Sequence, residues 1–299
     1  MFLLAELMPA AKRLEKLPLS RDQLMLLMAS TNQLFLGIDI YLSHRISGTI
    51  VPNEWIPSIF GPIAAALLLL AGLIAIRRRP LATVLATIVL LASIAVGLLG
   101  AYFHLIRAAL PAAPISQRLT LSLLVWGPPL LGPLMFSLVG LLGISAAWIE
   151  DPPDSGRLQL LAGRKLQLPY SKTRAYLFMV SLGALATVIS SVLDHARTGF
   201  RNPWLWLPTI VGALATVIAA YTAAVDQPSR TELLPYSIAM GLLLAVGVVG
   251  LILHIDTNLT AGGQIVGERF IRGAPFLAPL LFANIGMLGL ISLLPPAER

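Results

Sequence analysis

Eight stretches of this chain are apolar over about 20 residues or more, the length a helix needs to cross roughly 30 Å of hydrocarbon. They run over residues 21–44, 56–76, 81–106, 120–149, 174–196, 204–224, 234–256 and 271–295. In hydrocarbon every backbone N–H and C=O must find a partner inside the protein, so a spanning chain is either helical or a closed barrel. The alternating ten-residue segments of a barrel do not fit these stretches. The sequence therefore predicts an all-α, polytopic membrane protein with eight transmembrane helices. Only 12% of its residues are charged, about half the soluble average of about 25%, and the spans account for the deficit.

The spans are related in pairs. His44 followed by Trp55-Ile56-Pro57-Ser58-Ile59-Phe60-Gly61 returns as His195 followed by Trp206-Leu207-Pro208-Thr209-Ile210-Val211-Gly212, at a constant offset of 151. Ala95-Val96-Gly97-Leu98-Leu99-Gly100 leads to His104, and Ala245-Val246-Gly247-Val248-Val249-Gly250 leads to His254, at an offset of 150. The fourth and eighth spans share Gly127/Gly273, Pro129/Pro275, Pro133/Pro279, Phe136/Phe282, Gly140/Gly286 and Gly143/Gly289 at an offset of 146. Four spans per half is an even number, so the halves insert in the same orientation, related by a pseudo-two-fold along the membrane normal. A looser match, His104 with Trp126-Gly127-Pro128, suggests a hairpin as the ancestral unit and a quasi-four-fold bundle. Trp-x-Pro itself reads as a membrane-interface anchor and helix start. The small residues before His104 and His254 allow close approach of a neighbouring helix or of a flat cofactor.

The formal charge of +7 is a matter of topology. Fourteen basic residues lie near the even-numbered turns, among them Lys12, Arg13, Arg77, Arg78, Arg79, Lys165 and Arg230; seven lie on the other face, Arg45, Arg107, Arg118, Arg197, Arg201, Arg269 and Arg272. By the positive-inside rule the first face and both termini are cytoplasmic, which predicts the inner membrane and argues against a nucleic-acid partner. The domain plan is a cytoplasmic interfacial helix over 1–19, a first four-helix half over 20–149, a cytoplasmic linker over 150–173 and a second half over 174–299. Residues 1–19 place their charge after the apolar run, the reverse of a signal peptide. The polar run Ser30-Thr31-Asn32-Gln33 and Asp39 in the first span predict that this helix is buried in the bundle.

The four histidines of the chain, His44, His104, His195 and His254, all fall at the outer ends of odd-numbered spans. Asp39, Asp194 and Asp256 lie near them in sequence, with Glu54 and Glu268 in the outer loops. Neutral imidazole is a common metal ligand, and its second nitrogen usually needs a carboxylate or carbonyl to fix the tautomer. This face supplies both kinds of group. The expectation is a haem b or a transition metal, copper or iron, held by some of the four histidines with Asp39, Asp194 and Asp256 as further candidate ligands. The absence of cysteine removes thiolate sites and haem attached through Cys-x-x-Cys-His. With one histidine per helix pair in a four-plus-four plan, and with His44-Arg45 as a His-Arg pair, the chain resembles haem A synthase. It departs from that family in having no glutamate ahead of His44 on the same helix and in breaking at Pro52.

The resulting expectation is a metal- or haem-binding membrane protein with a redox or cofactor-handling role at the outer face. Beyond the bilayer, other membrane subunits or a quinone are its expected partners. Two other classes are compatible with the residues. A small-solute transporter would use the polar first span and Asn284 to line a path. An integral scaffold subunit would need little beyond the short loops and the bundle.

Overall fold

The computed structural model describes residues 19–46, 48, 50–159 and 163–295. The interfacial helix expected over 1–19 lies outside them apart from Leu19. The described chain is almost wholly helical. Its first set of helices is α1 (Arg21–Ile46), α2 (Trp55–Ala75), α3 (Arg79–Ala108), α4 (Leu121–Trp126) and α5 (Leu131–Ala147). The second set is α6 (Lys172–Ala196), α7 (Trp206–Ala224), α8 (Arg230–Asn258), α9 (Gly267–Arg272) and α10 (Leu280–Ser292). Among the described residues, α1, α2, α3, α6, α7 and α8 are each long and apolar enough to cross a membrane. The chain is a multi-pass membrane protein on that ground.

The fourth and eighth expected spans are not single helices. Ile115–Trp126 and Leu131–Ala147 reach spanning length only together, and they are bent by 80° at the break between them. In the second set α9 is likewise separated from α10, whose 13 residues rise only about 20 Å. Proline causes both breaks, because it has no N–H to donate and clashes with the preceding turn. Pro128 and Pro129 follow α4, and Pro275 follows α9. Each short helix closes on a glycine amide, Gly127 to the Leu123 carbonyl and Gly273 to the Arg269 carbonyl, both at 2.8 Å. Trp126 therefore ends a helix, whereas Trp55 and Trp206 begin α2 and α7 as the Trp-x-Pro pattern predicts.

Within the first set α1 packs on α2, α2 on α3, α3 on α5 and α5 back on α1; the second set closes the same ring with α6, α7, α8 and α10. Individual contacts recur with it. Ser30 donates to the Ala65 carbonyl and Ser181 to the Thr216 carbonyl, each at 2.9 Å. Gly97 lies against the Pro133 carbonyl and Ser137, Gly247 against the Pro279 carbonyl and Ala283, so closely that a Cβ at either would overlap backbone atoms. The small residues ahead of His104 and His254 are thus occupied by helix packing and leave no slot there for a flat cofactor.

The two sets meet through α5 on α6 and α1 on α10. Where α1 and α6 begin, Arg21 donates to Thr173 at 2.6 Å and the Lys172 ammonium to Asp22. Tyr176 also donates to Asp22, at 2.9 Å. The linker between the sets, expected only as a connection, is a three-stranded antiparallel sheet of β1 (Ile149–Glu150), β2 (Arg157–Gln159) and β3 (Lys165–Gln167). The buried Glu150 carboxylate fastens it by accepting from the amides of Asp154, Gly156 and Lys172.

The polar load of α1 is met largely inside the bundle, as the sequence predicts. Besides Ser30, the fully buried Gln33 donates to Ser93 at 2.6 Å, which passes a hydrogen bond to the Phe136 carbonyl at 2.7 Å. Asn32 and Asp39 instead face a cavity between the two sets.

Candidate functional site

The C-terminal ends of α1, α3, α6 and α8 each carry one of the four histidines. The helices bring them together as two pairs. His44 and His104 have ring centroids 6.1 Å apart with planes at 86°. His195 and His254 are also neighbours, close enough for their charges to interact. All four rings are partly buried.

Within each pair the two histidines are held differently, and the difference repeats. His44 is anchored on its own helix, by the Ile40 backbone one turn earlier. His195 is anchored the same way, with Nδ1 3.3 Å from the Ser191 hydroxyl one turn earlier. His104 and His254 are fixed from the broken helices: His104 Nδ1 is 2.9 Å from the Pro129 carbonyl and His254 Nδ1 3.0 Å from the Pro275 carbonyl. A carbonyl can only accept, so Nδ1 carries the proton in both rings. Nε2 of the neutral ring then holds the lone pair that a metal needs. Proline frees the carbonyl and the freed carbonyl orients the ligand, which links the helix break to the site.

The aspartates stand elsewhere. Asp39 lines the cavity between the sets, and the charge of Asp194 acts on it. Asp194 pairs with Arg197 at 3.9 Å, and Asp256 is exposed. Among the described residues no three His, Asp or Glu side chains converge where they could hold a metal ion. Asp39, Asp194 and Asp256, expected as further ligands, form no such group with the histidines among the described residues. At helical spacing they project from other faces of their helices, and the groups that fix the rings are backbone carbonyls and a serine.

The surroundings of the two pairs differ. Glu54 lies near enough to His44 and His104 to act on both, and it binds Arg107 at 3.3 Å. Residues 151 and 150 further on are Leu205 and Thr257, so this charged pair exists on one side only. A reading guided by the repeat passes over it. Beside His195 the neighbour is Phe200, with ring centroids 6.0 Å apart, and Phe200 stacks on Trp206 at 4.4 Å. Phe200 sits at a φ of 52°, a left-handed conformation that costs a side-chain-bearing residue roughly 1–2 kcal/mol. Stacking on Trp206 offsets that cost and places the Phe200 ring over His195.

Arg197 ties the second set to the first at this end, donating to the Val125 carbonyl at 2.7 Å and the Gly127 carbonyl at 3.3 Å. Both carbonyls lie at the break after α4.

Two imidazoles trans on one metal, each bonded at about 2.0 Å, have centroids roughly 6 Å apart. The His44–His104 separation matches that value. A closed non-haem site takes about four protein ligands, which neither pair supplies. Haem iron brings four nitrogens of its own and asks the protein for two at most. Each pair offers two donors, fewer than an all-protein metal cage needs.

The chain matches no protein-family model, no curated protein and no solved structure. Its resemblance to haem A synthase therefore rests on the histidine plan and on His44-Arg45 alone, and Arg45 is exposed.

Proposed function

We propose that this is an inner-membrane haem protein in which His44 with His104, and His195 with His254, would each hold one haem b. The observation that carries the reading is the fixed Nδ1 of His104 and His254, which leaves Nε2 to bind iron. A haem held there by two histidines would supply one-electron chemistry. The role that follows is electron transfer at the outer face.

The same reading takes residues 20–149 and 174–299 as parallel duplicated halves of four spans each, the fourth span of each being broken, with both termini in the cytoplasm. Its support is the recurrence of hydrogen bonds at constant sequence offset and the side-by-side start of α1 and α6. The broken helices then have a purpose, since a continuous helix has no spare carbonyl to offer His104 or His254.

The test is an absorption spectrum with metal analysis of the purified protein. A Soret band with iron near two per chain is expected. Stoichiometric metal without that band would replace haem by a non-haem centre. Absence of both would remove the site.

A further inference from the structure

We propose that the cavity between the two helix sets binds the ring of a lipid-soluble quinol, whose hydroxyls both donate and accept. The cavity holds about 280 Å³ and is enclosed by α1, α5, α6 and α10, with residues 277 and 278 ahead of α10. The inference stands apart from the histidine pairs and does not depend on them.

Its wall is apolar apart from a few groups, and two of those lack a bonding partner. Asn32 Nδ2 and Asn284 Oδ1 are buried with no hydrogen bond, and both residues line the cavity. Asn32 and Asn284 thus put two incompletely bonded amides on one cavity wall; buried polar groups are normally satisfied, so the pair calls for a ligand that can both accept and donate. Met28, Asn32 and Asp39 fall on one stripe of α1 at spacings of four and seven, which puts a carboxylate on the same wall.

The cavity straddles the boundary between the sets, and sequence offset relates its two sides. Met28 and Met179, 151 apart, both line it, and so do Leu138 and Asn284, 146 apart. Asn32 corresponds in the same way to Gly183, another lining residue. The amides thus stand where the related position is apolar or bare, and a nearly symmetric chamber has been given polar groups on chosen sides. Packing alone gives no reason for that, whereas a ring with distinct polar edges does.

Three further observations narrow the class of ligand. Phe35 and Met287 line the cavity yet are 47% and 41% exposed, so its mouth opens on the lipid-facing surface and admits a membrane-soluble molecule. No lysine or arginine lines it, and Asp39 does, which disfavours a phosphate headgroup. An acyl chain would leave both amides unpaired. Four of the chain's eight methionines, Met28, Met135, Met179 and Met287, line the wall; methionine is adaptable and its sulfur packs well against aromatic rings. A neutral ring bearing oxygens at its edges, with its tail left in the bilayer, satisfies each of these conditions.

The experiment is calorimetric titration of the purified, delipidated full-length protein with ubiquinol-1 under anaerobic conditions, alongside native mass spectrometry of protein released gently from membranes. One saturable site per chain is expected. Asn32→Leu and Asn284→Leu should each weaken binding about tenfold or more, as loss of one directed hydrogen bond implies. Both should raise the melting temperature of the ligand-free protein, because each removes an unpaired amide. Binding should persist in the His44→Ala, His195→Ala double variant even where haem is lost, which separates this site from the histidine reading. No saturable uptake, unchanged affinity in both asparagine variants, or co-release of phospholipid in place of quinol would each overturn the proposal.

Discussion

The ammonium of Lys172 binds the carboxylate of Asp22 across 150 residues of chain, with Lys172 only 2% exposed. The lysine also donates to the Trp148 carbonyl at 2.6 Å, and Tyr176 donates to the second Asp22 oxygen. Arg21, 151 residues before Lys172, reaches across in the opposite sense to Thr173, which lies 151 after Asp22. The contact is thus reciprocal, as at a two-fold axis. Removing one member of a buried ion pair costs about 3–5 kcal/mol, while replacing both with apolar residues is often close to neutral. Lys172→Met should lower the thermal midpoint strongly and the Lys172→Met, Asp22→Leu double variant should recover most of the loss, as read by melting of the purified protein.

Gly97 and Gly72 are both helical glycines in apolar surroundings, and their substitution should have opposite effects. A Cβ at Gly97 meets the Ser137 amide and the Pro133 carbonyl, whereas one at Gly72 meets nothing within 4 Å. Overpacking of that kind costs about 1–3 kcal/mol, and relieving a helix of glycine gains roughly 0.5–1 kcal/mol. Gly97→Ala should melt earlier than the parent protein and Gly72→Ala later, in the same detergent.

The absence of native cysteine allows the parallel arrangement to be tested directly. Ala112, Arg164 and Gly262 are exposed loop positions, and Ala112 and Gly262 are related by the 150-residue offset. Parallel halves require Ala112→Cys and Gly262→Cys to be labelled from one side of the membrane by an impermeant maleimide, and Arg164→Cys from the other. Labelling of Ala112→Cys and Gly262→Cys from opposite sides would show inverted halves.

The spans were legible because apolar length is a one-dimensional property, and α1 to α3 and α6 to α8 begin and end close to where hydropathy places them. The breaks were only half legible. Pro128-Pro129 and Pro275 announce a disturbed helix start, but the 80° bend follows from how α4 packs on α6, a tertiary contact without a local signature. The histidine positions were visible in the repeat, and their pairing was not, because it depends on which odd-numbered helices adjoin. Nearness in sequence does not put the aspartates on the histidine faces: five residues along a helix, as from Asp39 to His44, turn a side chain through roughly 500°, off the face of the ring. Glu54 was visible as an outer-loop carboxylate, but its pairing with Arg107 and its nearness to His44 and His104 were not, because the related positions carry no such pair.

The two histidine pairs should be separable by mutation and distinguishable by potential. If each pair holds one haem as proposed, His44→Ala should lower haem content from about two per chain to about one, and the double variant His44→Ala, His195→Ala should carry none. The surviving centres should differ, because Glu54 and Arg107 stand beside the first pair while Phe200 stands beside the second. Ferric haem carries one more positive charge than ferrous, so a nearby carboxylate stabilises the oxidised form. Glu54→Gln removes that charge and leaves Arg107 unpaired, and both changes favour the reduced state. The midpoint potential of the first centre should therefore rise in Glu54→Gln and that of the second should stay where it was, as followed by spectroelectrochemical titration. Equal shifts in both centres would mean that Glu54 acts on the whole protein and not on the His44–His104 pair.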